Sequence, residues 1–600
     1  MLRALRPRRD DLGMADVQRL AARLAALDEP RQPLRVAVLR TYASEPLAPY
    51  WRFEALLQGF DLALYDAPYG ALLQECQPGS GLAAHEPDVT CLLLRWEDVD
   101  PRLAGPVMAG NGAQRARLVD DAVARVEQLL AAVRGLVPGL VVVTLLPPFA
   151  GPELGAFDAM AADSEAAFRG ALKARLAERV AAALPSVYLC DLDALVDQLG
   201  RRGAFEARMW HMARFPFSVA GAQSLVRRLL AYGVLLKQPK AKVIALDADN
   251  TLWGGIVGED GPDGIKLGPD YPGSGFVAFQ RRLLAYQQRG FLLVLNSKNN
   301  PDDVQEILTG HPHQVLRPEH FAAVRVNWQP KPQNLRELAR ELNLGLEAFV
   351  FVDDSDHECG HVEAELPQVT VVQTPHDALL VAEILEDLPQ LEILGLTAED
   401  RARTAMYAQE RERKERQAAV GNLEEYLQSL DMVMTVGLDD PRHAPRIAQL
   451  TQKTNQFNVT TRRYTEADIR ARMGDPAWIV AHFSLADAFG DSGLVGVTML
   501  QVDGDTADVD TLLMSCRVIG RGAETAFLGH LLDELARRGV RTVRAAFVPT
   551  PKNALVARFW DDHGFTPAGE GAYTLDLGAR PPRTPPPIRI RRDDPASLAS

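Results

Sequence analysis

The stretch VIALDADNTLWGG, residues 243–255, decides how this chain is read. Four apolar residues, Val243 to Leu246, run without alternation into Asp247 and Asp249, and Thr251, Trp253 and two glycines follow. A short, continuous apolar run is the mark of a strand buried on both faces, which places it in a parallel sheet. Ligands of such sheets sit beyond the carboxyl ends of the strands, so the two aspartates stand where chemistry is expected. Two more runs repeat the pattern. FLLVLNSKN (291–299) ends in Ser297, Lys298 and Asn299, and AFVFVDDSD (348–356) ends in Asp353 and Asp354. Between them Lys331 opens a helical stretch, KPQNLRELARELNLGL.

Four carboxylates, a hydroxyl and an ammonium group therefore converge on one sheet edge. Like charges crowded together raise each other's pKa. A hard divalent cation relieves this, and Mg2+ suits carboxylate and phosphate oxygens. The residue types divide the work of phosphoryl transfer. Asp247 is the candidate nucleophile, and Asp249 is the candidate acid and base. Ser297 and Lys331 bind phosphoryl oxygens, with Thr251 and Asn299 beside them. Asp247, Asp249, Asp353 and Asp354 are the candidate metal ligands. A lone D-x-D is explained by a capped, solvated strand end. The ordered set of D-x-D-x-T, S-K-N, a lysine and D-D is not.

The rest of the chain sets the frame. At 600 residues three or four domains are expected. A formal net charge of −14 argues against nucleic acid or an anionic membrane as partner, unless a local basic patch exists. Five cysteines are scattered, with no C-x-x-C, which fits reduced thiols in a cytoplasm. The basic start MLRALRPRRDD lacks an apolar run, so no secretory signal is expected, and no stretch reads as a membrane span.

The expected organisation is a lead-in at 1–30, an α/β unit at 31–235, a second α/β unit at 236–395 and a charged helical connector at 396–430. An α+β unit at 431–580 follows, and then a Pro/Arg-rich tail at 581–600, expected to be disordered. In the third unit, RVIGRGA (517–523) lies between a strand and a helix. That is the setting of a glycine turn that binds pyrophosphate.

LDADNTLWGGIVGEDG, NSKNNPDDV, NWQPKPQNL and FVFVDD resemble the haloacid dehalogenase superfamily of phosphotransferases and, within it, the FkbH-like branch. LTQKTNQFNVTTRRYTEADI, FGDSGLVGV and LLMSCRVIGRGAE are similar to the acetyltransferase-like (GNAT-type) end of that family, and the N-terminal portion is similar to its SGNH-hydrolase-like domain. The resemblance implies an enzyme that takes a glyceryl unit from 1,3-bisphosphoglycerate, a small phosphorylated C3 acid. It removes phosphate and loads the unit onto an acyl carrier protein for polyketide synthesis. It implies Mg2+ and the carrier's phosphopantetheine arm, or CoA, as cofactors, the arm being held by Arg517, Gly520, Gly522 and Asn553. Arg517, Arg521, Lys453, Arg462 and Arg463 are the candidates for the basic patch an acidic carrier requires, against the reading of an ordinary solvated basic face. The alternatives are a small-molecule phosphatase without acyl transfer and a carrier-docking scaffold.

Three departures bear on this. Many members carry a cysteine where this chain has Asn296, so the acyl-carrying thiol is missing there. Cys516 is the candidate replacement, Cys359 reads as a buried structural cysteine, and direct transfer to the carrier's thiol is the favoured route. The first unit lacks the Gly-Asp-Ser context of SGNH hydrolases around Thr41 and Ser44, and His211 has no evident Asp-x-x-His partner. A docking role is expected for it.

Overall fold

The apolar runs of the first part become β1 (Gln32–Arg40), β2 (Phe60–Asp66), β3 (Val89–Arg95), β4 (Leu140–Leu146) and β5 (Val187–Leu189). They form a five-stranded parallel sheet, order β2-β1-β3-β4-β5. The structure is a computed structural model and describes residues 12–386, 388–396, 422–580 and 586–593. It divides into two compact units, Met1–Gln238 and Pro239–Ser600. In the first unit, the helices Gly112–Leu136 and Glu165–Ala183 bury Val123, Val126, Leu172 and Leu176 against Leu92 and Val141 of the sheet. One helix among the described residues, Val219–Lys237, is long and apolar enough to cross a membrane. It is a core helix here, burying Leu225, Val226, Leu229 and Leu230.

The second unit opens with the quoted strand, β6 (Val243–Leu246). β7 (Leu292–Ser297), β8 (Phe321–Val326), β9 (Phe349–Asp353) and β10 (Thr370–Gln373) complete a parallel sheet of order β10-β9-β6-β7-β8. Both faces of β6 are covered, as its unbroken apolar run requires. Ile244 and Leu246 enter one core, and Val243 and Ala245 the other. The chain winds outward from β6 through β7 to β8, then returns to β9 on the other side. The switch point of this doubly wound sheet is the crevice between β6 and β9.

The remaining strands are β11 (Met432–Leu438), β12 (Phe457–Asn458), β13 (Trp478–Asp487), β14 (Gly490–Asp503), β15 (Thr506–Met514), β16 (Thr542–Ala546), β17 (Thr566–Gly569), β18 (Ala572–Asp576) and β19 (Ile588–Arg592). They form a mixed sheet of order β17-β18-β16-β15-β14-β13-β11-β19, with β12 pairing β15. The architecture is thus the multidomain α/β one expected, ending in an α+β fold.

Two features correct the expected outline. β19 lies in the stretch expected to be disordered. It pairs in parallel with β11, from Met432↔Ile588 to Val436↔Arg592, because alternating Ile588 and Ile590 suit a sheet edge while the intervening arginines stay in water. The other feature is a seam. β15 and β16 pair only from Thr506↔Thr542 to Val509↔Ala545 and then part. β12 fills the gap: Phe457 and Asn458 pair with Met514 and Leu513, Val459 N donates to Leu512 O, and Val548 N donates to Val459 O. Most of the expected connector lies outside the described residues; Leu423–Ser429 within it is helical.

Candidate active site

Register brings the acids together. Leu246 pairs with Val352 of β9, so Asp247 and Asp353 stand level on adjacent strands at the switch point. Leu246 also pairs with Leu295 of β7, which sets Asn296 level with Asp247 and Ser297 one residue beyond. Asp247, Ser297, Lys331 and Asp353 are all buried. One carboxylate oxygen from each of Asp247, Asp353 and Asp354 lies within 4.8 Å of the others.

Lys331 begins the helix Lys331–Glu341, and its ammonium sits inside this group. Nζ is 2.9 Å from Asp247 Oδ1 and donates to Asp353 Oδ2. Burial opposes the Lys331 charge, yet the two carboxylates outweigh it and raise its pKa. Burial, then the charge of Asp247, pushes Asp353 up to about 7 against the pull of Lys331. Asp354 is raised by the same two causes. One ammonium does not neutralise three crowded carboxylates, so the donor set fits an oxygen-seeking divalent cation. Thr251 adds a buried hydroxyl with no hydrogen-bond partner among the described residues. Asp247, Asp353 and Asp354 are the side chains able to hold the ion.

Asp249 behaves differently from its expected place among the metal ligands. Its Oδ1 accepts from Trp253 Nε1 at 2.8 Å and Val257 N at 3.1 Å, and its Oδ2 from Asn299 Nδ2 at 2.8 Å. The turn after β6 makes this geometry: Asn250 takes a left-handed φ of 52°, and its Oδ1 accepts from Gly255 N. Burial raises the Asp249 pKa despite the three donors. Asn299, expected to touch substrate, is spent on orienting Asp249. Lys298 turns away to pair with Glu358 at 2.7 Å.

Asn296 has a structural task. Its Nδ2 donates to Lys331 O and its Oδ1 accepts from Asn334 Nδ2, which also donates to Asn327. The network pins the first turn of the helix that carries Lys331. Sequence reasoning missed it, although Asn327 and Asn334 both lie in NWQPKPQNL. Cys359 is fully buried and its thiol donates to Asp353 O.

The residues expected to hold a pantetheine arm are arranged less openly. Gly520 and Gly522 both have left-handed φ, 83° and 75°, so the turn needs glycine. A Cβ at Gly522 would meet Pro586 Cβ at 3.0 Å, so the C-terminal segment packs on this turn. Asn553 is fully buried, and its Nδ2 donates to Asn458 O and Val548 O, clamping β12 into the seam. Its side chain is therefore hydrogen-bonded through both its nitrogen and its oxygen to the fold's own backbone. Arg521 is buried against Asp487, Arg462 pairs with Asp510, and Arg463 donates to Gln452 O and Asn455 Oδ1. Three members of the expected basic patch are thus used internally.

Lys453, Arg517 and Cys516 line a cavity of about 80 Å3, together with Lys242, Asn343 and Arg446. Cys516 O accepts from Asn343 Nδ2. Asn343 lies just past the far end of the helix that Lys331 begins, which at 1.5 Å per residue is roughly 16 Å away. Lys242, preceding β6, donates to Lys453 O. The cavity thus lies at the amino ends of the strands, opposite the carboxylates, and Cys516 is out of reach of Asp247. In the first unit, Ser44 Oγ donates to Asp66 Oδ1 and Thr41 Oγ1 accepts from Arg95 N, while His211 is exposed.

No protein-family model and no curated protein matches the chain. Among solved structures, the N-terminal part of the protein BF1531 from Bacteroides fragilis, containing a phosphatase domain and complexed with Mg, is 25% identical. The match covers 64% of this chain and 99% of that one, with a TM-score of 0.53. The ribosomal-protein-S18-alanine N-acetyltransferase of Escherichia coli is 19% identical over 24% of this chain and 94% of its own, at a TM-score of 0.20. The Salmonella typhimurium acetyltransferase that modifies the N-terminal serine of ribosomal protein L7/L12 is 16% identical over 24% and 95%, also at 0.20. The fold of the larger part of the chain is thus shared with a structure that contains a phosphatase domain.

Proposed function

We propose that the chain is a Mg2+-dependent phosphotransferase of the FkbH-like kind, which dephosphorylates 1,3-bisphosphoglycerate and loads the glyceryl unit onto an acyl carrier protein. The observation that carries the phosphotransferase part is the cluster of buried Asp247, Asp353 and Lys331 with half-buried Asp354 at the switch point. The Mg2+ complex of the Bacteroides fragilis protein supports the choice of ion.

A bound cation would offset charge on the phosphoryl oxygens. Asp247 attacks phosphorus of the ester phosphate, the bond to the C3 oxygen breaks, and an aspartyl-phosphate forms. Asp249, kept protonated more readily by burial, gives its proton to the leaving oxygen and then takes one from the water that frees phosphate. Lys331 holds Asp247 in place and meets the phosphoryl group with positive charge. Loading is a separate exchange. The carrier's thiolate attacks C1 of the acyl phosphate, the bond to phosphate breaks, and the thioester forms directly. The distance of Cys516 from the carboxylates favours this route over one through a protein thiol.

A second reading is a small-molecule phosphatase without acyl transfer. The observation favouring it is β12, which occupies the β15–β16 seam with the chain's own backbone. Incubation with 1,3-bisphosphoglycerate, Mg2+ and a holo carrier protein separates the readings. A glyceryl mass on the carrier supports loading, phosphate release without it supports the phosphatase, and neither product refutes both.

A further inference from the structure

In the last fold, far along the sequence from the carboxylate site, the register lines up a second group of ligating side chains. β11 has β13 on one side and β19 on the other. Gly437 of β11 pairs with His482 of β13. Val436 pairs with Arg592 of β19, so Asp593 falls level with Gly437, and its N donates to Val436 O. His482, Gly437 and Asp593 therefore form one row across three strands, with a glycine in the middle. Gly437 does not have a left-handed φ, so its backbone does not demand glycine. Space does: a Cβ there would meet His482 Cε1 and Nε2, each at 2.5 Å. The missing side chain lets the imidazole lean across β11 toward Asp593.

A third ligand arrives from outside the sheet. The turn Pro441–His443 leads into the helix Ala444–Lys453 and brings the His443 ring to 4.6 Å from that of His482, centre to centre. His443 Nε2 is 3.7 Å from Asp593 Oδ2. One ligand atom from each of His443, His482 and Asp593 lies within 4.8 Å of the others. His482 is 3% exposed, and its Nδ1 is buried with no hydrogen-bond partner among the described residues. An unpaired buried nitrogen is costly to keep. Asp440 also stands 3.9 Å from His443 Nε2, but Arg442 holds its carboxylate through Nε and Nη2. Arg442 reaches Asp593 only at 4.0 Å.

We propose that His443, His482 and Asp593 form a binding site for one divalent transition-metal ion of the zinc class, distinct from the Mg2+ site. Two imidazoles and a carboxylate are the donors such ions prefer, whereas Mg2+ selects oxygen. Ligands of a tetrahedral zinc site are separated by about 3.3 Å, given metal–ligand distances near 2.0 Å, so the three side chains need only a small contraction. The ion would fasten the edge strand β19 to β13 across β11, with the half-buried His443 side open to water as fourth ligand.

The test uses chelator-treated full-length protein in excess Mg2+, which saturates the carboxylate site, titrated with Co2+ and followed by visible absorption. One equivalent should bind with the strong bands of a four-coordinate ion, and Zn2+ should displace it. His443→Gln, at a half-buried position, should weaken binding by about a hundredfold and abolish the bands, while Asp353→Asn leaves them in place. Gly437→Ala, which pushes the His482 ring aside, should also weaken binding. Failure to bind Co2+ saturably in excess Mg2+, or a loss in His443→Gln of less than tenfold, overturns the proposal.

Discussion

Replacing Lys331 by methionine keeps the length of the side chain and removes its charge, stranding Asp247 and Asp353. At 2.9 Å and an effective dielectric near 20, one such contact carries about 6 kcal/mol of Coulomb attraction. Desolvation offsets much of this, and removing one partner of a buried pair costs about 3–5 kcal/mol. Protonation sets a ceiling. A carboxyl with an ordinary value of 3.8 can take a proton at pH 7 for 1.36 kcal/mol per unit, or about 4 kcal/mol. At pH 5 the same ceiling is about 1.6 kcal/mol. Lys331→Met should therefore lose 3–4 kcal/mol at pH 7 without Mg2+, and less than half of that at pH 5.

The sign follows from the pull of Lys331 on Asp353, which lowers a pKa that burial raises: without the ammonium the proton is held to still higher pH, and the loss in the variant grows as pH rises. The folded state holds that proton to higher pH than the unfolded chain, so this stability is complete below about 3.8 and is lost as pH rises toward 7. Hydrogen exchange of β6 and β9 peptides by mass spectrometry, in chelator, reports the local free energy. A loss below about 1 kcal/mol, or one equal at pH 5 and pH 7, would refute the claim that Lys331 neutralises a buried acid pair.

Asp247→Asn should leave exchange in β6 little changed but cut phosphate release at least a thousandfold, about 4 kcal/mol in barrier; a rate within tenfold of the parent denies Asp247 its role. Asn553→Ala removes the bonds to Asn458, Val548 and Thr550. It should destabilise the last fold by about 3 kcal/mol in denaturant unfolding, and a change under 1 kcal/mol means that β12 is held some other way. Cys516→Ala should keep most of any carrier-loading activity; an acyl adduct trapped on Cys516 would contradict direct transfer.

The sheet around β6 was legible because burial on both faces leaves an unbroken apolar run, and because strand ends of a parallel sheet share one edge. The placement of Asp247, Ser297, Asp353 and Asp354 at one edge follows from that alone, while Lys331 enters from the first turn of a helix. What a side chain does after the chain turns was not legible. Asp249 is level with the site in sequence, but Trp253, Val257 and Asn299 hold its carboxylate. β12 is two residues long and shows no periodicity, and its place is set by Leu513 and Met514, more than fifty residues on. β19 reads as tail because its proline and arginine content hides two alternating isoleucines. The distance of Cys516 from the acids comes from which end of one helix it meets, and local pattern does not encode that.

A nucleophilic Asp247 becomes phosphorylated during turnover. Quenching the enzyme with 1,3-bisphosphoglycerate and Mg2+ in the steady state, then reducing with borohydride, converts an acyl phosphate to an alcohol that peptide mass spectrometry reads as homoserine. Homoserine is expected at position 247, dependent on substrate and absent from Asp249, Asp353 and Asp354. An unmodified Asp247 in enzyme that is releasing phosphate, or the modification at another aspartate, would contradict it.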